Sequence, residues 1–336
     1  MMGVFRAAAT VALLAAAGAA LIQGQEAGQE APIAREIQYL SAADDTMQPA
    51  LFYRPETDEP RPLLVSLHTW GSTYNTGVTA YRGDRLAAER GWVFIHPDFR
   101  GANRRPEATG SDLVVGDIVS AVDYCREHAN VDESRIYLMG VSGGGYTALL
   151  MAGRRPDIWA GVSAWVPISD LKAWYVEHHA KGSRYAVDVA RSCGGDPTNE
   201  PEAEAQAVKR SPVTYLANAV DVPLDIHGGL TDNIVSFAHS LWAFNAVAAE
   251  EDRIPDDAIA AFVETKEVPP GLRGGEGDGT RGVVFSRTSG KARVVIGRGG
   301  HGAVSIRAAV EWLAQQRKGE ERPTDEQAAS GASTGA

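Results

Sequence analysis

The chain has 336 residues, 44% of them apolar and 22% charged, the balance of an ordinary globular protein rather than a disordered or fibrous one. Its 43 acidic and 32 basic side chains leave a net charge of -11. That charge argues against nucleic acid or an anionic membrane surface as partner, because both reward Lys and Arg. With a leader and a tail set aside, about 290 residues remain, enough for one large domain or two small ones.

Met1 to Arg6 carries one positive charge, Ala7 to Ile22 is a mostly apolar run, and Gln23 to Glu30 is small and polar. This order predicts a secretory signal peptide over 1–24, cut near 20–24, then a linker over 25–32. The protein is therefore expected to be exported, periplasmic or secreted; the alternative is an uncleaved N-terminal anchor. An apolar stretch of about sixteen residues is short for a membrane span, which takes roughly 20, and no later segment is long and apolar enough.

Next come two short strands, Arg35 to Leu40 and Ala50 to Tyr53, joined by a turn around Ala43 to Thr46. Strand and helix signals then alternate. Strands are predicted at Pro62 to Leu67, Trp92 to His96, Arg135 to Met139, Gly161 to Val166, Val222 to His227 and Arg293 to Ile296. Helices are predicted at Tyr81 to Arg90, Ser111 to His128, Gly144 to Arg154, Val235 to Glu250 and Ala303 to Gln316. Short apolar runs alternating with helices imply a parallel sheet covered on both faces.

Two stretches interrupt the alternation. Residues 168–220, with the aromatic pair Trp174 and Tyr175 and the turn Gly194-Gly195-Asp196-Pro197, read as a helical insertion over the sheet. Asp252 to Gly282, with Pro255, Pro269, Pro270 and a glycine-rich run, reads as a mobile loop. Residues 318–336 are polar and rich in Ala, Gly and Ser, the composition of a disordered tail. The catalytic domain is thus expected over 33–317. Cys125 and Cys193 are the two cysteines; spacing alone leaves open whether they pair. No cofactor or metal is expected, since no cluster of His and carboxylates is evident.

The chemistry concentrates at Gly140-Val141-Ser142-Gly143-Gly144, a G-x-S-x-G nucleophile elbow with a strand before it and a helix after it. A serine on such a turn is lifted into the cleft, and small neighbours are needed where backbone crowds backbone. A serine hydroxyl needs a base. Of eight histidines, His301 in Gly299-Gly300-His301-Gly302 lies between the last strand and the last helix, matching the chain order serine, acid, histidine of α/β-hydrolases. His68 and His96 precede the serine, His128 ends a helix, and His178, His179, His227 and His239 lie elsewhere. The orienting acid is expected to be Asp232, in the loop after the strand Val222 to His227. Asp225 is the rival, within the strand, and the bland role for Asp232 is a helix N-cap. Oxyanion donors are expected at the Gly143 N–H and, in the segment His68-Thr69-Trp70-Gly71, at the Trp70 N–H, with Thr69 as rival.

At these residues the chain resembles the catalytic domain of the prolyl oligopeptidase family and related α/β-hydrolase esterases. The elbow running into Gly145-Tyr146 is similar to that family's G-x-S-x-G-G-Y. Val222-Pro223-Leu224 through His227-Gly228 to Asp232 resembles its acid strand and loop. Pro97-Asp98-Phe99-Arg100-Gly101 is similar to its P-D-x-R-G turn, and Arg210-Ser211-Pro212 to its R-S-P. The likeness runs in order from Pro62 to Gln316. It departs where His68-Thr69-Trp70-Gly71 replaces His-Gly, and where the loop and the hairpin Gly282 to Ile296 lengthen the Asp232–His301 interval.

The resemblance implies an α/β-hydrolase fold, a mostly parallel sheet with helices on both faces, and a Ser142–His301–Asp232 triad working through an acyl-enzyme. No propeller pattern precedes the domain, so the gate that restricts oligopeptidases to short peptides is expected to be missing. A small-molecule ester is therefore the expected substrate, a short peptide the alternative, and an inactive binding module the remote one.

Overall fold

The central strand of the sheet is the one that delivers the serine. In the computed structural model, which describes residues 33–272 and 282–319, nine strands form one sheet. They are β1 (Arg35–Leu40), β2 (Met47–Tyr53), β3 (Arg61–Leu67), β4 (Val93–Pro97), β5 (Val131–Val141), β6 (Gly161–Trp165), β7 (Leu224–Gly229), β8 (Val283–Ser289) and β9 (Ala292–Gly297). Their spatial order is β1-β2-β4-β3-β5-β6-β7-β9-β8. Strands β4, β3, β5, β6, β7 and β9 run parallel, while β1, β2 and β8 join by antiparallel pairing at the two edges. The expected leader 1–24, the linker and residues 320–336 of the tail lie outside the described residues.

Helices connect the parallel strands and cover both faces. They are α1 (Val78–Glu89), α2 (Asp112–His128), α3 (Gly143–Arg154), α4 (Leu171–His179), α5 (Arg184–Cys193), α6 (Pro201–Arg210), α7 (Ala238–Asn245), α8 (Asp256–Thr265) and α9 (Ile306–Leu313). The inner strands are mostly apolar because both faces are covered: all of β4 and β6 is buried, polar His96 and Ser163 included. Helix starts carry the expected caps, with the Ser111, Asp170 and Ser305 side chains accepting from Val114, Ala173 and Ala308 N–H.

The core divides by layer. One face packs α2, α3, α7 and α8 around Leu138, Val162 and Ile226. The other packs α1 and α9 around Phe94, Tyr137 and Met139. A third cluster, built on Trp70, Tyr146, Trp174 and Val189, seats helices α4 to α6 over the sheet. These are the helical insertion of residues 168–220. Both cysteines are free thiols, Cys125 in the first cluster and Cys193 in the third; burial pushes the Cys193 thiol up to about 11.

Two sequence expectations are corrected. The stretch Asp252 to Gly282 is not a loop over its first half: α8 occupies Asp256–Thr265 and buries Ile259 and Phe262. The Phe262 ring meets Phe237 at 4.8 Å and Phe285 at 5.8 Å. Pro255 caps this helix, with two aspartates in the first turn where the dipole favours them. The proline marks a helix start there rather than a loop. Residues 273–281 lie outside the described residues. The helix expected at Val235 to Glu250 is shorter, Ala238–Asn245, because the Asn245 side chain exchanges two hydrogen bonds with the Ile254 main chain at 2.7 and 2.9 Å and turns the chain back.

His96 at the end of β4 and His239 in α7 are fully buried. Burial depresses each imidazole to about 3. The unfolded chain, with an ordinary imidazole near 6.5, then binds more protons than the native state between about pH 6.5 and 3. Stability is therefore complete above that window and lost as pH falls through it. The melting temperature should drop progressively from about pH 7 to 4, and the slope should shrink in a His239→Gln variant. An unchanged slope would show that His239 does not contribute.

Candidate functional site

Trp70, Ser142, Asp232 and His301 each follow a parallel strand at its carboxyl end, where open α/β sheets form their crevice. β5 ends at Val141, and Ser142 follows with φ 57° and ψ -118° before α3 begins. A non-glycine residue there is strained, and its surroundings hold it. The Ser142 N–H donates to the Trp165 carbonyl at 2.8 Å, and its own carbonyl accepts from the Tyr146 N–H at 2.8 Å. A Cβ on Gly140 would lie 2.1 Å from the Gly144 oxygen, and one on Gly144 2.4 Å from the Leu67 oxygen. Glycine is obligatory at both because backbone meets backbone.

His301 lies between β9 and α9, and its Nε2 is 3.0 Å from the Ser142 hydroxyl oxygen. Its Nδ1 is 2.7 Å from Asp232 Oδ2. A carboxylate at Nδ1 requires a proton there, which leaves Nε2 free to accept from the serine. The Asp232 side chain is buried, and its other oxygen, Oδ1, accepts from the Ile234 and Val235 N–H groups at 2.8 and 3.0 Å. The acid loop is joined to the histidine loop through the Leu230 and Thr231 N–H groups, which donate to the Gly297 and Gly299 carbonyls at 2.8 and 3.1 Å. Asp232 does cap local N–H groups, but not a helix, since α7 starts at Ala238. The row serine, imidazole, buried carboxylate can draw a proton off the hydroxyl and hold the resulting imidazolium.

Trp70 follows β3. A Cβ on Gly143 would stand 2.3 Å from the Trp70 nitrogen and 2.5 Å from its Cα, so the main chains of Trp70 and Gly143 lie side by side at the serine. The Trp70 carbonyl accepts from the Asn103 N–H at 2.9 Å. Its ring is buried in the insertion cluster, with Nε1 donating to Asp188 Oδ2 at 3.2 Å. The Thr69 hydroxyl meets Ser72, and its carbonyl faces His68 Nδ1 at 2.9 Å.

The competing residues have other partners. Asp225 is buried within β7 and accepts from Ser163 at 2.9 Å and Arg293 at 2.7 Å, and pairs with His227 at 2.8 Å. Burial would push its carboxyl up, but the His227 and Arg293 side chains beside it hold it below the usual range. The His227 ring stacks on Trp165 at 3.7 Å, and the Trp165 indole donates to Ser163 at 3.0 Å. This network grips the residue whose carbonyl holds the Ser142 N–H, a link that sequence spacing does not disclose. His68 stands between the Thr69 and Asp98 carbonyls and tacks β3 to the Pro97–Gly101 turn. From that turn Arg100 reaches Asp44 and Asp117 at 2.7 to 2.8 Å. Arg210 donates to the carbonyls of Pro106, Ala108 and Thr109, and its own carbonyl accepts from the Tyr146 hydroxyl at 2.9 Å. Among the described residues no group of His, Cys, Asp and Glu is arranged to hold a metal ion, and no helix is long and apolar enough to cross a membrane.

The sheet order and the elbow define an α/β-hydrolase, with serine, imidazole and carboxylate in one hydrogen-bonded row. The pattern of the prolyl oligopeptidase family matches residues 84–255, about half of the chain. That match takes in Ser142 and Asp232 and stops before His301. The chain belongs to the prolyl oligopeptidase family. It is similar to feruloyl esterase B of Neurospora crassa, 25% identical over 54% of this chain and 63% of that protein. It is also similar to an acetylxylan esterase of Coprinopsis cinerea, 27% identical over 40% of this chain and 39% of that one. Pyrococcus horikoshii acylaminoacyl peptidase shares the fold, with a TM-score of 0.61 and 18% identity over 92% of this chain and 45% of that one. The chain thus spans less than two thirds of the length of each.

The contact between Gly143 and Trp70 is directly testable. Gly143→Ala forces main chain away from main chain and should cost about 1–3 kcal/mol of stability, read by urea unfolding. Wild-type stability in this variant would mean that the two segments do not meet.

Proposed function

We propose that this protein is a serine hydrolase that cleaves small carboxylic esters through an acyl-enzyme. The observation that carries the reading is the continuous row Ser142–His301–Asp232, with hydrogen bonds of 3.0 and 2.7 Å. Ser142 Oγ attacks the ester carbonyl carbon while His301 Nε2 takes its proton. The carbonyl oxygen becomes an oxyanion and is received by the Gly143 and Trp70 N–H groups. The tetrahedral intermediate collapses, the alkoxide leaves with the proton from His301, and the acyl group stays on Ser142. Water, deprotonated by His301, then attacks the acyl carbonyl carbon; collapse of this second tetrahedral intermediate breaks the bond to Ser142 Oγ, which takes the proton back from His301, and the carboxylic acid leaves. Asp232 fixes the imidazole tautomer and stabilises the imidazolium.

An ester is favoured because two of the relatives named above are esterases. A short peptide is the second reading, favoured by the family's own description as prolyl oligopeptidases. A panel of p-nitrophenyl and feruloyl esters beside aminoacyl and acylaminoacyl p-nitroanilides separates the two. Turnover of the amides alone would overturn the ester reading.

A fluorophosphonate should label the wild-type protein at Ser142 and leave Ser142→Ala unlabelled, with an unchanged fold. Persistent labelling at another serine would remove Ser142 from the role of nucleophile.

The two aspartates give opposite expectations. Asp232→Asn keeps an oxygen for the Ile234 and Val235 N–H groups but cannot enforce the tautomer, so kcat should fall by about 10⁴ with a near-normal melting temperature. Asp225→Asn leaves Arg293 and His227 without their buried counter-charge and should cost about 2–4 kcal/mol of stability, with turnover per folded molecule retained. An active Asp232→Asn beside an inactive Asp225→Asn would assign the acid to the strand.

A further inference from the structure

The helical insertion grips the catalytic loops at a specific point. The Ile234 N–H donates to Asp232 Oδ1, so this residue helps set the direction of the carboxylate that faces His301. The Ile234 carbonyl, on the other side of the same residue, accepts two hydrogen bonds from α4. Trp174 Nε1 donates to it at 3.0 Å and His178 Nε2 at 2.7 Å. A carbonyl oxygen has two lone pairs, and here both are occupied by aromatic N–H donors one helical turn apart, which face the same way. Lys181 adds a longer contact, 3.4 Å, to the neighbouring Asn233 carbonyl.

Trp174 also faces the second half of the site. Its ring packs edge-on against Trp70 at 4.6 Å between centroids, and Trp70 is tied from the other side to Asp188 in α5. Both tryptophan rings are almost wholly buried. One side chain therefore touches the acid loop by a hydrogen bond and the segment beside Gly143 by a ring contact. Packing alone would explain the burial of Trp174, but not an indole N–H and an imidazole N–H converging on one carbonyl oxygen.

We propose that Trp174 and His178 are positioning residues: by holding the Ile234 carbonyl they fix the Asp232 turn, and through Trp70 they fix its spacing from the oxyanion segment. This rests on the triad reading above. Neither side chain touches substrate in this scheme. Their effect is confined to the geometry of the reacting groups, where a displacement of about 1 Å can cost about a hundredfold in rate.

The test uses five variants of the full chain: Trp174→Phe and His178→Leu singly, Trp174→Phe combined with His178→Leu or His178→Gln, and Asp232→Asn. Trp174→Phe keeps the ring and removes the donor; His178→Leu removes the other donor, whereas His178→Gln carries an amide N–H at the position of Nε2. Hydrolysis of p-nitrophenyl acetate and the rate of fluorophosphonate inactivation are measured, with folding checked by near-ultraviolet circular dichroism. In the Trp174→Phe/His178→Leu double variant kcat should fall about 10- to 100-fold, with KM within about twofold of wild type, and Gln in place of Leu at 178 should restore most of the loss. If the double variant does not fold, Trp174→Phe and His178→Leu singly, each with one donor left, should show the same kcat-specific loss on a smaller scale. A folded double variant with wild-type kcat, or equal losses with Leu and Gln, would overturn the proposal. Asp232→Asn, assayed in parallel, separates the two levels. If it is inactive while the double variant is fully active, only the positioning role falls; if it is as active as wild type, the triad reading falls and this inference with it.

Discussion

The crowding of main chain against main chain around Ser142 is the constraint on which the rest of the site depends. A serine at φ 57° is held in a conformation that costs of order 1–3 kcal/mol, and only over-determined surroundings maintain it. Here they come from neighbouring strands on both sides of β5. On the β6 side the Trp165 carbonyl holds the serine N–H. On the β3 side Gly143 and Gly144 abut the main chain of Leu67, His68 and Trp70. The elbow therefore requires β3, β5 and β6 to be adjacent and to end at one level, which is what their register provides. It also brings the Trp70 segment beside the serine as a consequence of the packing that glycine permits.

Asp225 and Asp232 show how environment, not residue type, divides roles. Seven residues apart, both are buried acids beside a histidine. Asp225 lies within β7, where its neighbours are cationic or donating side chains, and both of its oxygens have side-chain partners. Asp232 has left the strand. One of its oxygens is spent on local N–H groups and the other on an imidazole whose far nitrogen faces a hydroxyl. The first arrangement is a closed network that stabilises; the second ends in a group that can react. His227 and His301 differ in the same way, since His227 is stacked on Trp165 and paired with Asp225, whereas His301 bridges to the Ser142 hydroxyl.

Much of this could be read in the sequence because it is local. The alternation of buried strands and helices gave the parallel sheet, and Gly140 to Gly144 marked the elbow because close approach of backbones leaves a glycine signature. Chain order then singled out His301 and Asp232 among many candidates. What could not be read is set by contacts distant in sequence. The helix Asp256–Thr265 was hidden by Pro255, whose presence is equally compatible with a turn and with a helix start; Phe262 decides the matter by packing on Phe237 and Phe285. The early end of α7 rests on Asn245 bonding the Ile254 main chain. The hold of Trp165 on Ser142, and of Asp188 on Trp70, joins segments 23 and 118 residues apart with no motif to announce either.

The site thus has two layers with different dependence on sequence. The row of Ser142, His301 and Asp232 depends on backbone crossings that few residue types allow, as the contacts of Gly140, Gly143 and Gly144 show. The insertion over the sheet is held instead by side-chain packing, in the cluster of Trp70, Tyr146, Trp174 and Val189. Trp174 stands at the junction of the two layers. It belongs to the insertion, yet it touches the loop of Asp232 and the Trp70 segment. A change in the insertion that displaced Trp174 or His178 would therefore also be felt at Ile234 and, through its N–H, at the Asp232 carboxylate. On the proposed positioning role, the face of α4 that meets Ile234 is constrained by the loop below it, because the same residue contacts Trp174 and His178 on one side and Asp232 on the other.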